Sequence, residues 1–124
     1  MFDFSQENTF KLLPMSPSEG RKTVEVMLLD DENVVGAFTT VRDKVIITDK
    51  RLIFVNVQGA IGKKVDYTSL PFNKVQTFSV ITSGLFDIDC EVELLFLHMG
   101  KIRLEIIGKF DMRSFSKVLS SFIL

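Results

Sequence analysis

Between residues 34 and 107 the chain repeats one pattern, in which short runs of β-branched and aromatic residues are separated by polar turns. Runs of this kind read as antiparallel strands. Residues 34–41 lead through Arg42, Asp43 and Lys44 into 45–48, and Asp49, Lys50 and Arg51 turn into 52–57. The second and third of these runs are apolar on both faces, as in central strands covered from two sides. Residues 63–67, ended by Pro71, and residues 75–81, closed by Ser83 and Gly84, supply two more. Residues 91–97 and 101–107 then form a hairpin about Met99 and Gly100, in which Ile102, Leu104 and Ile106 alternate with Lys101, Arg103 and Glu105. After Gly108 the period becomes helical: Asp111 is placed to cap a helix whose Met112, Phe115, Val118, Leu119 and Phe122 share one side. Such a helix is about 20 Å long, enough to cover one open end of a small barrel. The pattern predicts a mainly β fold, a barrel of about seven antiparallel strands closed by a C-terminal α-helix.

Upstream of the strands the signals are mixed. Residues 1–20 read as a separate arm of undetermined order, with Phe2, Phe4, Phe10, Leu12 and Leu13 among polar residues before Pro14 and Pro17. Ser16, Pro17, Ser18 and Glu19 have the layout of a capping box with proline at the first helical position. A short N-terminal helix follows, carrying Val24, Met27 and Leu28 on one face, weakened by Gly20 and ended near residues 30–33. The main domain is then 21–124.

A chain of 124 residues supports one domain, which buries roughly two-thirds of the surface its unfolded form exposes. Fifteen basic and sixteen acidic residues leave a net charge of −1, so no overall field attracts nucleic acid or an anionic membrane. Twelve Phe, one Tyr and no Trp suit dry packing better than polar stacking with a ligand. The single cysteine, Cys90, has no internal disulfide partner, which points to a reducing, cytoplasmic setting. The N-terminus lacks a signal-peptide pattern, and no apolar run reaches the ~20 residues of a membrane span.

Three blocks together are more specific than any of them alone: DKVIITDKRL at 43–52, QGxxGKKxxYxSxP at 58–71, and FSVxTxGxFDxDxE at 78–91. They resemble the bacterial pleckstrin-homology (PH) domain family over residues 31–124, and strands followed by one amphipathic helix are the order of that fold. The resemblance implies a PH-like barrel, no known catalytic activity, no settled ligand, and ring-like homo-oligomers. It says nothing of residues before Ser16.

Reactive constellations are few. Cys90 and His98 are the candidate thiol and imidazole, but eight positions of extended strand separate them by about 27 Å, too far for a dyad. A buried small cysteine and a surface histidine near a turn is the plainer reading. Asp87, Asp89, Glu91 and Glu93 alternate, so an extended strand would line them on one face about 7 Å apart. That row reads as a solvated face, as an intersubunit contact beside Lys101 and Arg103, or as a weak cation site lacking the glycine and loop of an EF-hand. Arg42 and Lys44, Lys50 and Arg51, and Lys63 and Lys64 are paired basic residues at turns and form weak candidates for anion binding. Only Arg42 and Lys44 match in part the basic signature of eukaryotic PH domains that bind phosphoinositides. Gly59 and Gly62 read as turn residues able to take positive φ, not as a phosphate loop.

The leading expectation is a non-enzymatic binding and self-association module without a cofactor, a homo-oligomer with an unidentified protein partner. Asp87, Asp89, Glu91, Glu93, Lys101 and Arg103 are its candidate contact residues. The alternative is a membrane-surface or acidic-ligand binder using the basic turns.

Overall fold

The computed structural model describes residues 4, 8–59, 64–82 and 88–124. Eight strands form one curled sheet, a half-barrel with the C-terminal helix against it, so the fold is the mainly β, PH-like one expected. In chain order the elements are β1 (Thr9–Pro14), α1 (Pro17–Val24), a 3-10 turn (Glu25–Met27), β2 (Val34–Thr39), β3 (Asp43–Thr48) and β4 (Arg51–Gln58). These are followed by β5 (Lys64–Pro71), a 3-10 turn (Phe72–Lys74), β6 (Val75–Ile81), β7 (Ile88–Phe96), β8 (Gly100–Lys109) and α2 (Met112–Ile123). The spatial order is β5-β4-β3-β2-β1-β8-β7-β6, so the unlike strands β5 and β6 form the two edges.

The strand beyond the expected seven is β1. The sequence sets residues 1–20 apart as an arm, yet Thr9–Pro14 lies inside the sheet, parallel to β8 and antiparallel to β2. Alternation explains it: Phe10 and Leu12 point inward and are buried, while Thr9, Lys11 and Leu13 face out. Phe10 meets Phe4 and Phe54 edge-on, with ring centroids 6.0 and 4.9 Å away. β1 thereby joins the two halves of the sheet around a common core.

Apolar residues on both faces of β3 and β4 also find their reason. Val45 and Ile47 with Leu52 and Phe54 enter the main core, while Ile46, Ile53 and Val55 form a second cluster with Val24 and Ala37. α1 covers that second cluster from outside. Gly20 lets it approach closely, since a Cβ there would overlap the Ala37 Cβ and press on Ile46. The expected capping box does not form: Ser16 makes no cap bond and its hydroxyl pairs with that of Ser18 at 2.9 Å. The α-helix ends at Val24, short of residues 30–33, and continues only as the 3-10 turn.

At the other end Asp111 caps α2 as expected, accepting from the Ser114 N–H at 3.0 Å and the Ser114 hydroxyl at 2.7 Å. Met112, Phe115 and Leu119 are buried, and Phe115 packs on Phe72 and Phe110 with centroids 5.6 and 5.7 Å away. Phe122, expected on the same buried side, remains 38% exposed beside Phe72.

Candidate functional site

The acidic row does not persist as four carboxylates on one face. Asp87 lies outside the described residues. At Asp89 the ladder shifts register and φ is +42°, so the strand bulges and the carboxylate turns to accept the Gly108 N–H. Beyond the bulge Cys90, Val92, Leu94 and Phe96 point inward, which leaves Glu91 and Glu93 on the outer face.

Those two carboxylates have different company. Glu93 lies opposite Arg103 in register and binds it at 3.3 Å, with Lys101 at 3.5 Å. Desolvation acts to raise the Glu93 carboxyl, but the Arg103 hydrogen bond and the two cations outweigh it and hold it below the usual carboxylate range. The three side chains, with Asn8 and Thr9, line a polar recess of about 260 Å³. Glu91 instead lies opposite Glu105, which has Lys11 of β1 in register on its other side, and among the described residues neither carboxylate has an ion-pair partner. Like charges directly opposite on one face repel.

β7 is also an interior strand, flanked by β6 and β8. Its backbone is therefore spent within the chain, and association through it is confined to its outward side chains. The open backbone lies on β6 and β5. Residues 75–81 of β6 read VQTFSVI, without one charge or proline, and Gln76, Thr77, Ser79 and Ile81 are exposed. β5 carries Lys64, Asp66 and Pro71, the charged and proline residues that blunt an edge. The uncharged run was legible in the sequence, but its place at an edge was not, because strand order is a tertiary property.

The basic turns are dispersed. Lys44 and Arg51 stand on strands, not in turns. Arg51 is drawn inward: its guanidinium binds Glu32 through Nε and Nη2, each at 2.9 Å, and Nη2 also donates to the Met27 carbonyl at 2.7 Å. Lys50 pairs with Asp31 at 3.4 Å. Lys63 and Gly62 lie outside the described residues, and Lys64 is exposed on β5. Gly59 has φ +82°, the positive value its turn role requires. Arg42 and Lys44 remain exposed, with no ion pair among the described residues.

Cys90 faces the core and is 4% exposed, its thiol 3.6 Å from the Ile88 carbonyl oxygen, whereas His98 is exposed in the β7–β8 turn with φ +65°. Among the described residues no group of three His, Cys, Asp or Glu is placed to hold a metal, and no helix is long and apolar enough to cross a membrane.

Residues 3–123 match the model of the family described as Bacterial PH domain, so the likeness extends well before Ser16, through β1. Two uncharacterized proteins of Bacillus subtilis (strain 168) are similar. YjqA is 47% identical over 68 residues, 55% of this chain and 54% of YjqA, about half the length of that relative. YozO is 27% identical over 109 residues, 88% of this chain and 94% of its own. A solved pleckstrin-homology protein from Shewanella loihica PV-4 superposes with a TM-score of 0.66 at 29% identity, covering 93% of this chain and 99% of that one. The pleckstrin homology domain from Shewanella amazonensis SB2B does so with a TM-score of 0.54 at 31% identity, over 89% and 90% of the two chains.

Proposed function

The chain belongs to the bacterial PH domain family, and from that premise we propose that it is a non-enzymatic, cytoplasmic binding module that assembles with copies of itself. The observation that carries this reading is the β6 edge, seven uncharged residues with no strand beyond them among the described residues. α2 lies against β6, yet Gln76, Thr77, Ser79 and Ile81 stay exposed, and an uncharged edge of that composition invites pairing with another chain. Because the other edge, β5, differs from β6, pairing β6 with β5 of the next copy is heterologous and closes into a ring when the rotation per subunit permits. Pairing β6 with β6 would instead give a two-fold dimer.

The acidic positions belong to this contact through their side chains. Ser79 and Ile81 of β6 lie in register with Glu93 and Glu91 of β7, one strand in from the edge. Glu105 has Lys11 of β1 in register beside it, so the carboxylate left for a neighbouring subunit's cation to relieve is Glu91. Apolar side chains and backbone pairing supply most of the association energy, and charge sets register.

Light scattering of the purified protein tests this. The expected result is a mass several times that of the 14.1 kDa chain at micromolar concentration, changed only modestly by salt. A monomer in low and high salt alike would rule the proposal out.

A further inference from the structure

α1 covers only part of the outer face of the sheet. Beyond its last residue, Val24, the apolar surface continues across β4 and β5, where Val55 pairs with Tyr67 and Val57 with Val65. These four side chains share one face as a two-by-two block. Val55 is buried, but Val57, Val65 and Tyr67 are 53%, 43% and 37% exposed. Beside the block stands the β2–β3 turn, held by the Thr40 hydroxyl, which accepts the Asp43 N–H at 2.9 Å, while the Thr40 N–H donates to the Asp43 carbonyl at 2.8 Å. The end of α1, the turn and the block enclose a cleft of about 380 Å³. That volume falls in the roughly 300–1,000 Å³ span of small-ligand sites.

The charge at this cleft is one-sided. Lys44 lies in register with Val55 and so projects from the same face, and Arg42 stands on the turn above it. Lys50, Arg51, Lys101 and Arg103 are all engaged by carboxylates, whereas Arg42 and Lys44 have none among the described residues. Among the described residues the one carboxylate lining the cleft, Asp43, accepts the Asn56 side-chain amide. Two uncommitted cations over an apolar floor complement a molecule with an apolar body and a single anionic head.

We propose that this cleft binds one soluble amphipathic anion, with an aliphatic chain on Val57, Val65 and Tyr67 and a carboxylate or phosphate head between Arg42 and Lys44. The site lies away from the β6 edge, but its Val65 and Tyr67 stand on β5, the other strand of the self-association proposed above, to which it adds a ligand. A polyphosphorylated headgroup fits poorly, because two cations beside Asp43 do not balance several negative charges.

Tyr67 is the only tyrosine and there is no Trp, so tyrosine emission reports directly on the cleft. The full chain is titrated with octanoate and with hexyl phosphate, each kept monomeric. The expected result is a saturable change with Kd below about 1 mM for at least one of them, weakened at least about tenfold by Arg42→Ala with Lys44→Ala and likewise by Val57→Ser with Val65→Ser. All four positions are exposed, and an unchanged far-ultraviolet circular dichroism spectrum confirms that each variant is folded. Octanol and inorganic phosphate separate floor from rim: each alone should bind at least about tenfold more weakly. The proposal is overturned by no saturable change, by octanol or inorganic phosphate binding as tightly, by folded variants that bind unaltered, by binding only to anionic vesicles, or by submicromolar affinity for an inositol polyphosphate.

Discussion

Glu32 is 1% exposed and its carboxylate receives the Leu29 N–H at 3.1 Å, the Thr48 hydroxyl at 2.6 Å and two bonds from the Arg51 guanidinium. Burial alone would raise its pKa, but these donors and the Arg51 charge outweigh it and leave the group below its ordinary 4.5. A carboxyl depressed in the folded state contributes stability that is present above its unfolded pKa and lost as pH falls through its folded one. Glu93 and Asp111 are depressed too, the latter through its two Ser114 hydrogen bonds. Denaturant midpoints should therefore hold steady above about pH 5 and fall below it, with a shallower fall in Glu32→Gln. A midpoint that stays level or rises on acidification would contradict the assignment. Removing only the cation, by Arg51→Met, should cost about 3–5 kcal/mol because Glu32 is left buried and unpaired. Glu32→Gln combined with Arg51→Met should cost less than Arg51→Met alone, which a double-mutant cycle measures. None of this is legible in the sequence: Arg51 reads as a turn charge and residues 30–33 as a helix end, and nothing local tells a solvated residue from a pair closed across 19 positions. Gly20 was visible, but only as a poor helix former. Since its missing Cβ is what admits Ala37, Gly20→Ala should destabilise by about 1–3 kcal/mol through overpacking, despite the gain of about 1 kcal/mol in helix propensity.

Elements are most legible in the sequence where one periodicity runs long enough. α2 emerged with its cap and buried face because Asp111 and the 3.6-residue stripe agree, and Phe115 is 1% exposed between Phe72 and Phe110. Phe115→Ala should therefore cost about 3–5 kcal/mol. An unchanged denaturant midpoint would show that α2 is peripheral. The two caps should differ as well. Asp111→Ala removes a made hydrogen bond and should cost about 1 kcal/mol, whereas Ser16→Ala should stay within about 0.5 kcal/mol. β1 shows the opposite case: two inward residues, Phe10 and Leu12, among Thr9, Lys11 and Leu13 and followed by two prolines, are too short a pattern to tell a strand from an extended arm. What makes it a strand is non-local, the parallel ladder with residues 103–106 of β8.

For the whole molecule, the order of strands decides which backbone is open. The sequence singles out the acidic strand as a contact, and the structure leaves Glu91 and Glu93 pointing outward there. It also places β7 in the interior, so a proline at Val92, which is fully buried, would break the fold along with any assembly. The open backbone of β6 separates assembly from folding, because Thr77 and Ser79 are exposed edge positions that a lysine can occupy without entering the core. Lysine on an edge strand is a natural guard against pairing. The direct measurement is light scattering of Thr77→Lys combined with Ser79→Lys beside the native chain, with thermal unfolding of both. Assembly through β6 predicts that the native chain is multimeric and the double variant monomeric but folded. A double variant with the mass of the native protein would contradict it.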